Sequence, residues 1–178
     1  MIYSIMENSG QKLKRIKVDA LYGKKKHFNA ADRNEKNHLK LGIPLIIINV
    51  LTGSVLFYVL TDGIENWIKF VPLVLAFIAA LLSGFQTYMN FQQKVEGHRR
   101  IGNRYLASMK KCDRLQGYFL DQSINNGDFM NKMEQIALEI DDINQEAEAY
   151  PTSNTDYQLA KKGIELGEEN YTDLELNI

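Results

Sequence analysis

The sequence predicts an all-α membrane protein, and three observations carry that prediction. Two stretches without a charge, 21 residues at 41–61 and 24 at 70–93, are each long enough to cross a hydrocarbon core of about 30 Å. Lys and Arg crowd the polar flanks of both. Beyond the second stretch, apolar residues recur at alternating steps of three and four, with no proline before Pro151. The expected architecture is a two-helix transmembrane hairpin with an N-terminal cytoplasmic helix and a C-terminal cytoplasmic helical hairpin.

Residues 10–40 read as the N-terminal helix, with Leu13, Ile16 and Ala20 at helical spacing and lysines opposite. Its apolar face is narrow and lacks tryptophan, so packing against the other cytoplasmic helices is favoured over lying on the bilayer. The first span, about 41–61, and the second, about 70–91, carry Pro44 and Pro72 in what should be their first turns, where a missing N–H costs little. Only DGIENWIK separates the spans, which makes them antiparallel neighbours and sets Trp67 at headgroup depth. Ten Lys/Arg precede the first span and seven follow the second within 94–114, so both termini are expected in the cytoplasm.

A second long helix should continue from the span through 92–122. From 70 to 122 that makes one rod on the order of 80 Å. Ile101, Tyr105, Ser108, Cys112, Leu115 and Phe119 form its apolar stripe. Phe129, Met133, Ile136, Ile140, Ile143 and Ala147 repeat the pattern on a helix expected at about 128–150, capped by Asp128 after the turn-forming DQSINNGD. One domain, 1–151, is expected, followed by an acidic tail, 152–178, with at most one short helix at 157–166.

Net charge is −1, but its distribution is lopsided. Residues 1–114 hold 18 Lys/Arg against 8 Asp/Glu, whereas residues 115–178 hold 3 against 14. The basic part suits anionic lipid or the chain's own acidic helices, and lysines without interleaved aromatics argue against direct nucleic-acid binding. A lone cysteine, Cys112, excludes an intrachain disulfide and, on the apolar stripe, reads as a core residue.

No H-E-x-x-H, G-x-S-x-G, P-loop or G-x-G-x-x-G pattern is present, so neither an enzyme nor a cofactor is expected. His27, His38 and His98 lack the convergent ligands of a zinc site and read as hydrogen-bonding members of a collar at the membrane edge. The collar comprises Lys24, Lys25, Lys26, His27, Glu96, His98, Arg99 and Arg100. Within the second span, Ala76, Ala80 and Gly84 form a small-xxx-small face for helix packing. On another side, Ser83, Thr87, Asn90 and Lys94 form a polar stripe; with Asn49 and Thr52 of the first span, Ser83, Thr87 and Asn90 are candidates to line a pore or to hydrogen-bond between helices. Two helices cannot enclose a channel, so a pore requires a homo-oligomer.

The segments YGKKKHFNAADRN, HLKLGIPLIIINVLTGS and NFQQKVEGHRRIGNRY resemble the SLATT-domain proteins of bacteria, over about residues 13–147. Lys25, Lys26, His27, Phe28, Glu96, His98, Arg99 and Tyr105 carry the resemblance, and Tyr22 stands where such proteins often have tryptophan. The resemblance implies a pore-forming effector of anti-phage defence and abortive infection in the bacterial inner membrane. It implies as partner a co-encoded nucleotidyltransferase, SLOG-type sensor or reverse transcriptase. The alternative is a membrane-anchored helical adaptor that recruits a cytoplasmic partner enzyme.

Overall fold

A computed structural model of the chain describes the backbone of residues 2–61 and 67–177 and the side chains of 9–59 and 67–177. Residues 62–66 of the expected inter-span connection lie outside the described residues. Among those described there is no strand, only six helices: α1 (Ile2–Thr61), α2 (Phe70–Met89), α3 (Phe91–Leu120), α4 (Asn126–Ala147), α5 (Asn154–Glu165) and α6 (Asp173–Leu176). The chain divides into two units. Asp32–Val95 holds the apolar hairpin; Ala31 and the residues before it, with Glu96 onward, form a helical unit.

In the hairpin unit, the most apolar stretches of α1 and of the α2–α3 run have mean hydropathies of 2.0 and 1.9. Only 0% and 11% of these stretches is buried within the chain, whereas a soluble core helix of that hydropathy would be mostly buried. Lipid is the solvent such surfaces require. The two helices touch along matching stripes of alternating three- and four-residue steps. Along 41–59 the less exposed residues are Leu41, Gly42, Leu45, Ile48, Thr52, Val55 and Val59, and along α2 they are Val71, Pro72, Leu75, Ala79, Leu82, Gln86 and Met89. His38 meets Gln86 at 3.3 Å, while Thr52 and Leu56 share a hollow with Pro72 and Ala76, an antiparallel register.

The tail carries two helices, α5 and α6, where at most one is expected, and three expected boundaries also differ. The N-terminal helix and the first span are one uninterrupted helix, α1, so Pro44 lies in its interior rather than in a first turn. The shift from lysines to isoleucines at 40–41 marks a change of surroundings, not of backbone. Hydrocarbon penalises unpaired peptide groups, so the helix continues and forgoes only the bond Pro44 cannot donate. Pro72 does sit in the first turn of α2, and is buried. The expected rod from 70 to 122 is interrupted at Asn90, whose φ of 46° and ψ of 48° are left-handed. Asparagine tolerates that conformation better than other residues with a Cβ. Hydrogen bonds from Asn90 N to Gln86 O and from Lys94 N to Asn90 O bridge the interruption. Finally, Asn125 rather than Asp128 caps α4: its side chain accepts from Asp128 N at 2.9 Å, placing Asp128 on the third helical residue.

In the helical unit, the two sequence stripes meet. Ile101, Tyr105, Cys112 and Leu115 of α3 pack with Phe129, Met133, Ile136, Ile140 and Ile143 of α4 in one buried cluster, and Leu13 and Ala20 of α1 complete it. Burial pushes the Cys112 thiol up to about 11, with Asp113 adding to the effect, as suits an inert core thiol. A charge in this seam would be buried without a partner, at a cost of several kcal/mol. Ile140→Asp is therefore expected to lower the thermal unfolding midpoint of the detergent-solubilised chain sharply. Leu138→Asp, one helical side away and 57% exposed, should leave it nearly unchanged.

Candidate functional site

Two groups of side chains stand out, one in each unit. In the helical unit the basic segments of α1 and α3 converge on buried polar chemistry. His27 of α1 and His98 of α3 are 4% and 2% exposed, and their Nδ1 atoms lie 3.0 Å apart, so one ring donates and the other accepts. Tyr105 lies beside His27, and the ring edge of Tyr150 meets His98, each with centroids 5.8 Å apart. Gly97 makes the second contact possible, because a Cβ there would fall 1.9 Å from the Tyr150 ring. Burial, then the neighbouring His98 and Lys26, lower the His27 pKa to about 4, against the opposing pull of Asp156 and Glu146. His27 is thus neutral at physiological pH. His38 belongs to the hairpin unit and pairs with Gln86.

The expected collar separates into distinct partnerships. Lys24, 7% exposed, pairs with Glu169 at 2.6 Å, and Lys25 pairs with Glu168 and, at 3.5 Å, with Glu169. Arg100 and Arg104 both bind Glu146, the first at 2.7 Å. The Arg104 hydrogen bond, followed by those of Arg100, holds the Glu146 carboxyl below the usual carboxylate value. Glu96 and Arg99 are exposed and Lys26 is half-buried. Sequence reasoning missed Glu146, Tyr150, Asp156, Glu168 and Glu169. The signals available were the acidic rear segment and the S-x-x-D spacing of Ser153 and Asp156, which form a capping box at the start of α5.

In the hairpin unit, α2 presents three faces. At about 100° per residue, Pro72, Leu75, Ala79, Leu82 and Gln86 share the side that touches α1. Leu73, Val74, Phe77, Leu81, Phe85 and Tyr88 form a broad, exposed face of large apolar groups. Between the two lie Ala76, Ala80, Ser83, Thr87 and Asn90, all exposed. The small and polar stripes, read from sequence as separate sides, are one face: Ala76 lies about 20° from both Ser83 and Thr87. Gly84 is also exposed but falls on the broad apolar face, between Leu73 and Phe77. None of Ala76, Ala80 or Gly84 is buried by α1.

On α1, Asn49 is exposed beside the contact stripe, with Gly53 and Leu56 on the same face. In an antiparallel pair, positions turned the same way from the contact stripe emerge on one side. Asn49 therefore shares a side of the hairpin with Ser83 and Thr87. Thr52 instead belongs to the contact stripe and donates to Ile48 O at 2.7 Å. Thr87 donates to Ser83 O at 2.9 Å, and the Asn90 amide binds Gln93. The Gln86 side-chain oxygen is buried without a partner. Among the described residues, no group of three or more His, Cys, Asp or Glu is placed to hold a metal.

Two apolar, lipid-compatible helices, together with a helical unit that has its own buried core, define a two-span, all-α membrane protein. The family model described as SMODS and SLOG-associating 2TM effector domain family 4 matches residues 11–175, and the chain belongs to that SLATT family. No curated protein matches the chain, and no solved structure does.

The neutral His27 fixes a pH dependence. Its folded value lies below the ordinary 6.5, so between pH 6.5 and about 4 the unfolded chain binds a proton that the folded chain does not. Stability therefore drops as the pH is lowered through that window, by about 1.4 kcal/mol per unit for this group. Going from pH 7 to pH 5 should cost the wild type more stability than His27→Gln, read as unfolding midpoints in detergent. Equal pH slopes would contradict the assignment.

Proposed function

We propose that this chain is a pore-forming effector that assembles into a homo-oligomer in the bacterial inner membrane, with both termini cytoplasmic. It would permeabilise that membrane when a SMODS- or SLOG-linked partner or its nucleotide signal activates it. One observation carries the reading: a hairpin covered mainly in large apolar groups leaves one side mostly small and polar. Asn49, Gly53, Ala76, Ala80, Ser83, Thr87 and Asn90 occupy that side and are exposed in the single chain.

Hydrocarbon has no partners for amides and hydroxyls, and although Ser83 O meets the Thr87 hydroxyl, such a side is more stable against another helix or water. Small residues permit close approach between copies, and the polar groups beside them can then face a shared axis. A wall of hydroxyls and amides without charge gives weak ion selectivity. Leu56, on the same side, is placed to close the resting path as a dry constriction. The Gln86 oxygen, buried without a partner, adds an acceptor near the polar end of the hairpin.

Thr87→Leu with Asn90→Leu keeps the length and apolar character of the helix but removes half of the polar lining. The double variant should insert and assemble like the wild type while losing dye release from loaded liposomes and toxicity in cells. Undiminished release would place the path elsewhere. Sealed vesicles with the wild type, under every activating condition, would favour the adaptor reading.

A further inference from the structure

The acidic C-terminal segment is bound to α1 in a way that neither the family description nor the pore reading explains. Lys24 and Lys25 are consecutive on a helix, about 100° apart, yet both reach the turn that follows α5. Glu169 contacts Lys24 at 2.6 Å and Lys25 at 3.5 Å, and Glu168 also contacts Lys25. Gly163 supplies the room: a Cβ there would lie 2.3 Å from a Glu168 carboxylate oxygen and 2.9 Å from the Lys25 ammonium. Gly167, at a φ of 77°, turns the chain so that the two carboxylates arrive together. Two ammonium groups gripping two adjacent carboxylates is the arrangement that would grip the oxygens of a phosphate.

The segment is held mainly by polar contacts. Asn29 donates to Asp156 O at 3.0 Å and Tyr22 stacks on Tyr157, but of α5 only Asp156, Ala160 and Gly163 are buried. Leu159 and Leu166 stay 54% and 71% exposed. An element with so little apolar burial opens at low cost. Lys24 is the opposite: its side chain is 9% exposed, and a cation that enclosed requires an anion beside it. Departure of Glu168 and Glu169 would leave the two ammonium groups without these carboxylates and open to another anion.

We propose that Lys24 and Lys25 form an anion site for a phosphate group, which Glu168 and Glu169 occupy in cis as a removable strap. A phosphate on a lipid headgroup and a free phosphate in solution share the chemistry the site recognises.

Hydrogen exchange of the full chain in nanodiscs tests this, followed by mass spectrometry at 154–169 with 101–119 of α3 as the internal reference. In phosphatidylcholine discs, Glu168→Gln with Glu169→Gln should speed exchange of 154–169 at least tenfold and leave α3 unchanged. Millimolar pyrophosphate should open the wild-type segment to a similar extent if the ligand is free phosphate. Discs containing phosphatidylglycerol should do so, without pyrophosphate, if it is a headgroup. In the charge-swapped chain, Lys24→Glu and Lys25→Glu with Glu168→Lys and Glu169→Lys, protection should return while both anions lose their effect. An opening no greater than that produced by sodium chloride at equal ionic strength would overturn the proposal. So would unchanged exchange in the Gln double variant.

Discussion

Hydrocarbon offers no hydrogen-bond partner, and the hairpin unit follows from that constraint. It keeps α1 helical through Pro44, because an unwound turn would expose several peptide groups to lipid where the proline forfeits one bond. It also explains why Asn90, despite its left-handed backbone, both donates to Gln86 O and accepts from Lys94 N. The same constraint gives meaning to the side carrying Asn49, Ser83 and Thr87. One copy of the chain leaves these groups exposed, and a bilayer would not accept them so. On the proposed reading, assembly with that side inward would satisfy the constraint and create a polar lumen.

The helical unit runs on different physics. Its α3–α4 seam with Leu13 and Ala20 of α1 is an ordinary apolar core, whose aliphatic side chains each contribute roughly 1.5–3 kcal/mol by leaving water. Charge complementarity is then added around it: the basic segments of α1 and α3 meet Glu146, Glu168 and Glu169. Burial alone would raise the Glu169 carboxyl; the Lys24 and Lys25 ammonium groups more than reverse that and hold it below the usual value. The lopsided charge of the sequence is therefore satisfied in part within the chain.

Much of this was legible in the residues. The spans announce themselves by length without charge, and the stripes from Ile101 and Phe129 by their three–four rhythm, because packing on one side of a helix leaves that signature. Asn90 was legible as a polar residue at the membrane exit but not as a break, since hydropathy records side-chain character and not a dihedral angle. The junction at 40–41 misled in the converse way: polarity changed and the backbone did not. Ala76 and Thr87 read as separate sides until placed on one helical wheel. The partners of Lys24, Lys25 and Arg100 were legible only as a sign of charge, because which carboxylate each one meets depends on the turns at Gln122 and Gly167, where the backbone reverses its usual hand.

The orientation of the hairpin in an assembly is the claim on which the rest turns, and cross-linking between copies in native membranes measures it most directly. Cys112 is buried and burial pushes its thiol up to about 11, so a single added cysteine at the surface is the accessible one. Ser83→Cys should give oxidant-dependent disulfide-linked dimers, and a bifunctional thiol reagent of short reach should give the same product. Phe77→Cys, on the broad apolar face of α2, should remain monomeric. Efficient linkage through Phe77 with none through Ser83 would turn the small, polar side outward and contradict the account.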